Sequence, residues 1–312
     1  MEYPNPKIRF YRERTFGEKL NITFDYLREN WRPLLRFSLY LILPLCLIQA
    51  FFLNQFATNT FVNLGIEVDD PSYVIYQLLS QAAALCCCYV VGYLLLSVLL
   101  YGLMQTYERR DGGLRGLTFA EFRTPLLHMA GRSMWILLFW LCITVLFGVI
   151  VVVPAFMISS WTLLLTLPLL SIALLLISSP MWLFSPLYLL SGRPFFSALG
   201  QSFRWGFRAW FEVFGLMLVF GFIGGIINMI TYLPWSILTF IGQDLSLVSD
   251  VSLSDTLWYQ LLSYVLGIIQ SYGYYLSQII AMTGIAFEYF HLREKHEGVT
   301  AQADIASFSQ LQ

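Results

Sequence analysis

Charged positions are missing from five long stretches of the chain. Residues 37–66, 71–107, 133–192, 213–243 and 256–287 contain no Asp, Glu, Lys or Arg. Each is longer than the roughly 20 apolar residues with which a helix crosses about 30 Å of hydrocarbon. The stretch 133–192 would reach about 90 Å as one helix, so it has to fold back once. Pro154, Ser159, Ser160 and Trp161 cluster near its middle and mark the turn. The pattern therefore predicts an all-α membrane protein, a bundle of six transmembrane helices over about 34–56, 78–104, 134–153, 162–190, 212–238 and 260–286. Pro168, Pro180 and Pro186 predict a kink or an early end in the fourth span.

The loops fix an orientation. All 18 Lys and Arg residues lie in 1–36, 109–132, 193–208 and 293–295, whereas the two long alternate loops carry Glu67, Asp69, Asp70, Asp244, Asp250 and Asp255 and no base. The positive-inside rule then places both termini and the amphipathic segments in the cytoplasm. On this reading 1–33 is a cytoplasmic amphipathic amino-terminal segment, 34–287 the membrane domain and 288–312 a cytoplasmic tail. Residues 1–33 lack the short apolar core and small-residue cleavage site of a signal peptide, so the amino terminus is expected to be mature. Composition agrees: 58% of residues are hydrophobic and only 12% are charged, against about 25% charged in soluble domains.

A repeat runs along the basic side. Thr15-Phe16-Gly17-Glu18, Thr118-Phe119-Ala120-Glu121 and Pro194-Phe195-Phe196 each open a short helical stretch ending at Trp31, Trp135 and Trp210. From Phe16, Phe119 and Phe195 the distances to these tryptophans are 15, 16 and 15 residues. Three diverged units are implied, each an amphipathic helix, an outgoing span and a returning span. Chance likeness among juxtamembrane helices is the competing reading. In either case Arg28, Trp31, Arg32, Arg204, Trp205, Arg208 and Trp210 are expected at the membrane surface, the arginines toward anionic lipid and the tryptophans at headgroup depth.

The run from Ser191-Gly192-Arg193-Pro194-Phe195-Phe196-Ser197-Ala198-Leu199 through Ser202-Phe203-Arg204-Trp205 to Arg208-Ala209-Trp210 resembles the membrane domain of the glycerophosphoryl diester phosphodiesterase membrane-domain family. The opening Arg14-Thr15-Phe16-Gly17-Glu18-Lys19-Leu20 and the closing Phe287-Glu288-Tyr289-Phe290-His291-Leu292-Arg293-Glu294-Lys295-His296-Glu297-Gly298 are similar to that group's terminal elements. The resemblance implies a stand-alone bacterial inner-membrane protein of the same helical fold. It does not bring the phosphodiesterase activity, which belongs to a separate soluble barrel for which this chain has no room.

No catalytic constellation emerges, and no cofactor or metal site is expected. His291 and His296, five apart, do not share a helix face, and the segment that holds them reads as a solvated juxtamembrane helix. Cys46, Cys86, Cys87, Cys88 and Cys142 all fall within spans and read as small packing residues without a disulfide. Arg36, Glu212 and Glu288 lie near span ends, where long side chains snorkel to water. The basic residues follow the membrane face, which argues against nucleic acid as a partner.

The polar residues inside spans say more. Gln270, Tyr274, Ser277 and Gln278 recur at helical spacing, with Gln81 and Asn228 placed to meet them. They read either as interhelical hydrogen bonds or as the lining for a lipid headgroup or small polar solute. Gly221, Gly224 and Gly225 form a small-residue face suited to helix packing. Two functions follow. The first is a non-catalytic scaffold or accessory subunit with membrane lipids and a membrane or cytoplasmic protein as partners. The second is a lipid or small-amphiphile transporter or binding protein.

Overall fold

The computed structural model describes residues 7–65, 71–110, 112–147, 160–248, 256–302 and 305. Its long helices are α1 (Phe16–Gly65), α2 (Pro71–Arg109), α3 (Phe119–Phe147), α4 (Ser160–Ser191), α5 (Phe195–Arg208), α6 (Trp210–Val248) and α7 (Leu257–Glu297). No strand occurs among the described residues. The expected turn near Pro154 lies outside the described residues, as does the end of the third expected span.

Five of these helices, α1, α2, α3, α4 and α6, are long and apolar enough to cross a membrane, which makes this a multi-pass membrane protein. The sixth expected span lies within α7. That helix is 41 residues long but falls short of the same apolar density because Gln, Ser and Tyr recur along it.

The three repeat marks become helix starts: Phe16, Phe119 and Phe195 are the first residues of α1, α3 and α5. The Thr-x-x-Glu pattern has a physical basis at the first of them. Glu18 Oε2 accepts the Thr15 N–H at 2.7 Å, and the Thr15 hydroxyl lies 3.5 Å from the Glu18 N–H, so the two residues satisfy each other's backbone as a capping box. At the second start Glu121 instead pairs with Arg110 at 3.1 Å. At the third, Pro194 supplies no side-chain cap.

How each amphipathic stretch joins its span differs. In α1 the helix continues through a kink at Asn30 (φ −111°, ψ 15°), where the Asn30 amide donates to the Tyr26 carbonyl at 3.0 Å. α3 runs on without a break past Pro125. Between α5 and α6 the break falls on Ala209 (φ −104°, ψ 26°).

The chain divides into two compact units. Unit 1 comprises Met1–Leu34, Ser97–Phe220 and Ile280–Gln312; unit 2 comprises Leu35–Leu96 and Gly221–Ile279. In unit 1 the segment before α1 is not helical. It buries Phe10, which stacks on Tyr107 and Phe290 at 5.4 and 4.9 Å and meets Tyr26 and Phe287 edge-on. Aromatic pairs of this kind contribute about 0.5–1.5 kcal/mol each beyond area burial.

A proline explains another join in unit 1. Pro180 has no N–H, so the Leu176 carbonyl one turn earlier loses its helical donor. The Trp210 indole N–H donates to that carbonyl at 3.1 Å. Beside it, the Ser202 hydroxyl donates to the Pro180 carbonyl, and Gly206 lets α5 approach so closely that an added Cβ would lie 2.6 Å from Pro180 Cα.

The runs 191–210 and 287–298 serve this packing. Gly192 and Gly298 adopt positive φ (74° and 57°) just after α4 and α7, a conformation that favours glycine and ends a helix. Arg132 caps the carboxyl end of α4, donating to the Tyr188 and Arg193 carbonyls at 2.7 and 2.6 Å. Glu297 gathers Arg193, Arg293 and Gln201 at 2.6, 3.2 and 2.9 Å.

Unit 2 is built from parts of α1, α2, α6 and α7. Ile42, Cys46, Ala50, Leu85, Cys88, Tyr275 and Ile279 are buried in it. Gly92 leaves room on α2 for the Tyr275 ring, into which any Cβ would run.

Candidate functional site in a polar helix interior

Unit 2 buries hydrogen-bonding groups that carry no charge. Gln49 of α1 is fully buried, and its Oε1 accepts the Tyr275 hydroxyl at 2.7 Å; the same hydroxyl lies 3.2 Å from the Cys88 carbonyl. Tyr89 of α2 presents its hydroxyl to the amides of Gln49 and Gln270 and its ring edge-on to Tyr274 at 5.0 Å. Gln49 Nε2 nevertheless lacks hydrogen-bond geometry to any described group, and Gln81 Oε1 and Asn228 Oδ1 share that condition. An unsatisfied buried amide atom costs about 1–3 kcal/mol, so each of these atoms has hydrogen-bonding capacity left to fill.

The expected stripe on α7 is brought together in part. Gln270 and Ser277 are buried, Tyr274 and Gln278 half-buried. Gln270 and Tyr274 share Tyr89 as a neighbour, whereas the Ser277 hydroxyl turns back to its own helix at the Tyr274 carbonyl, 2.7 Å. Gln81 Oε1 and Asn228 Oδ1 form no hydrogen bond with the stripe. Sequence reasoning missed Gln49, Tyr89 and Tyr275. Gln49 was visible as one of five amides in the charge-free window 37–66.

Of the three glycines, Gly224 makes the close approach: a Cβ there would lie 3.1 Å from the Ser277 carbonyl oxygen. Gly221 and Gly225 do not pack as expected, since both face open space. The helix turn separates their direction from that of Gly224.

A cavity of about 510 Å³ opens in unit 2, lined by Asn54, Gln55, Thr58 and Asn59 of α1, Gln77 of α2, Thr239 of α6, Tyr259, Gln260, Ser263 and Tyr264 of α7, and Phe51. Its walls are held in place from behind. The Trp235 indole N–H donates to Asn54 Oδ1 at 2.7 Å, and the Tyr264 hydroxyl to the Leu47 carbonyl at 3.0 Å.

Unit 1 buries charge instead. Lys19, 1% exposed, places Nζ 2.7 Å from Glu212 Oε2 and 2.7 Å from Glu288 Oε2. Glu212 is half-exposed and receives a directed hydrogen bond. Glu288 is fully buried; its contact with Lys19 lacks hydrogen-bond geometry, and its other oxygen has no partner among the described residues. Glu288 therefore does not snorkel, because α1 and the start of α6 cover the turn of α7 that bears it. Burial pushes its carboxyl pKa up, opposed by the charge of Lys19.

One turn on, His291 is buried rather than solvated. Its Nδ1 accepts the Arg14 backbone N–H at 3.0 Å, which requires that nitrogen to be unprotonated. Burial, with Lys19, Lys295 and Arg14 nearby, pushes its pKa down to about 4.

The expected membrane-surface residues divide. Arg28, Trp31, Arg32, Arg204 and Arg208 are exposed and Trp210 is half-buried. Trp205 is not at the surface: it is 4% exposed and stacks on His296 at 5.2 Å, because it shares the buried face of α5 with Ala198 and Ser202. Among the described residues no three His, Cys, Asp or Glu side chains gather closely enough to hold a metal ion.

Comparison with known proteins adds no relative: no family description, curated protein or solved structure matches this chain.

Proposed function

We propose that this is a six-span bacterial inner-membrane protein with both termini cytoplasmic, and that it binds or moves a lipid or small amphiphile through the polar interior of unit 2. The observation that carries the binding role is the pair of buried amide atoms, Gln49 Nε2, which faces the Tyr89 hydroxyl without completing a hydrogen bond to it, and Gln81 Oε1, which has no partner among the described residues. One is a donor and the other an acceptor, the combination that a hydroxyl or amide of a bound molecule satisfies. Helix glue alone would pair them with each other or with backbone.

The charge segregation of the loops supports the topology. The resemblance of the 191–210 run to the phosphodiesterase membrane-domain family supports the bacterial origin. Native extraction followed by mass spectrometry of retained molecules tests the binding role. Wild-type protein should carry a stoichiometric amphiphile that the double variant Gln49→Leu/Gln81→Leu loses while remaining folded. Equal retention by both proteins would remove the reading.

A second reading, a scaffold or accessory subunit, is favoured by one observation. α5 exposes Phe196 (84%) and Phe207 (51%) together with Arg204 and Arg208, a face suited to a protein partner or to a lipid surface. A stoichiometric protein that co-purifies with wild type and is lost on Phe196→Ser would put this reading first.

A further inference from the structure

We infer that the cavity of unit 2 is a binding site for an uncharged, polyhydroxylated group of the sugar or polyol class; the inference rests on the amphiphile reading and names the chemistry of the headgroup. At about 510 Å³ the cavity has the size of a small-molecule site, about 300–1,000 Å³. Every side chain that lines it is neutral.

The lining excludes two ligand classes. A phosphate headgroup is ordinarily met by Arg or Lys, and neither lines this cavity. A metal cation such as Ca²⁺ is ordinarily met by carboxylates, and the lining has no Asp or Glu.

What remains is complementary to hydroxyl groups. Asn59, Gln55 and Gln77 offer an amide donor and an amide acceptor on one side chain, Thr58 offers a hydroxyl, and Ser263, whose O–H donates to the Tyr259 carbonyl at 2.7 Å, offers an acceptor. Vicinal hydroxyls, each both donor and acceptor, match that set. Phe51, Tyr259 and Tyr264 add aromatic surface against which the C–H face of a sugar ring packs.

A second feature points the same way. Gln81 follows Gln77 by one turn on the same face of α2. It is 8% exposed, and its Oε1 has no partner. The cavity also belongs to helix segments that hold no Lys or Arg, so under the proposed topology it faces the non-cytoplasmic side.

The test uses the full chain in phosphatidylcholine nanodiscs doped with a neutral monoglucosyl diacylglycerol or, separately, with phosphatidylglycerol. Free maltose is titrated in a parallel arm. Enrichment of the glucolipid around the protein over its bulk fraction, with no response to maltose, assigns the site to a lipid headgroup. Saturable protection by maltose assigns it to a free solute. Either result supports the inference if Gln77→Leu and Asn59→Leu each weaken binding by about 2- to 10-fold, the loss expected for one net hydrogen bond.

Gln77→Lys guards against a trivial folding effect, since it should turn the preference toward phosphatidylglycerol. Preference of the wild-type protein for phosphatidylglycerol, abolished by Gln49→Leu/Gln81→Leu, would overturn this inference and leave the amphiphile reading standing. Absence of any enriched lipid or maltose response in every variant would overturn both.

Discussion

Units 1 and 2 bury polar groups by opposite means. In unit 1 the polar interior is ionic: Lys19 serves two carboxylates, and Glu297 gathers two arginines and an amide. In unit 2 it is neutral: Gln49, Gln81, Gln270, Tyr89 and Tyr275 carry the hydrogen bonding. Ions in hydrocarbon are expensive and neutral amides much less so. An ionic cluster therefore belongs where helix ends and the segments beside them can solvate it, and an amide interior belongs where the helices cross. The lesson is that polarity in a helical membrane protein has two grades, ionic and neutral, and that each leaves some hydrogen-bonding capacity unfilled: Glu288 and Arg132 Nε in unit 1, Gln49 Nε2, Gln81 Oε1 and Asn228 Oδ1 in unit 2.

The sharpest way to break this contrast is at Lys19. Lys19→Met leaves Glu288 buried without its counter-charge and should destabilise the protein by about 3–5 kcal/mol, the usual cost of removing one partner of a buried pair. The double variant Lys19→Met/Glu288→Gln should recover most of that loss. Denaturant unfolding in detergent measures both, and a single variant as stable as wild type would show that the pair is not a structural tie.

Next in size come two glycines. Gly206→Ala pushes a Cβ against Pro180 backbone, which cannot give way, and should cost about 1–3 kcal/mol. Gly92→Ala in unit 2 meets only the Tyr275 ring and should cost less. Its signature is loss of the Tyr275–Gln49 bond, readable from tyrosine fluorescence or hydrogen exchange. Gly221→Ala, with open space around it, should fall within about 0.5 kcal/mol of wild type. The ranking inverts if unit 1 is the more compliant of the two.

Acid should separate the units more gently. The pKa of His291 is about 4 in the fold and about 6.5 in an unfolded chain. The unfolded chain thus binds the extra proton between these values, and stability falls as pH drops from about 6.5 toward 4. The raised pKa of Glu288 acts in the opposite sense, because the folded state then holds the proton more readily. Comparing melting temperatures of wild type and His291→Gln across that range isolates the histidine. The variant should show a flatter acid limb, and identical curves would contradict the assignment.

The smallest effect belongs to unit 2. Tyr275→Phe removes one neutral hydrogen bond and should cost about 0.6 kcal/mol, the average for such contacts within membranes. A loss several times larger would mean that unit 2 relies on its polar interior for stability, and the contrast would lose its force.

Much of the fold was legible in the sequence. Charge-free windows marked the helices, and the Phe16, Phe119 and Phe195 marks fell on three helix starts, because a Thr or Pro just ahead of a helical run is a local signal. The ionic cluster was not legible. Lys19 and Glu212 stand 193 residues apart, the one in an amphipathic stretch and the other near a span end, where a charge looks solvated; Lys19 is buried once the helix bearing Glu288 packs on it. Trp205 was misplaced for a similar reason, since a tryptophan beside arginines reads as interfacial until a neighbouring His296 stacks on it. The stripe on α7 was seen, but Tyr275 fell beside the spacing that defined it. Its partners Gln49 and Cys88 lie on other helices, where periodicity along one helix is silent.

The modest apolar density of α7 bears on how the protein is made. A helix with so many amides and hydroxyls partitions poorly from the translocon into lipid by itself. Its hydroxyls are met by groups of α1 and α2: Ser38 beside Tyr272, the Leu47 carbonyl for Tyr264, and Gln49 and Cys88 for Tyr275. Those helices emerge from the ribosome well before α7 does. Under the six-span reading, biogenesis therefore has an order: α1 and α2 must already stand in the bilayer, holding their polar faces open, as a protein solvent into which α7 can dissolve.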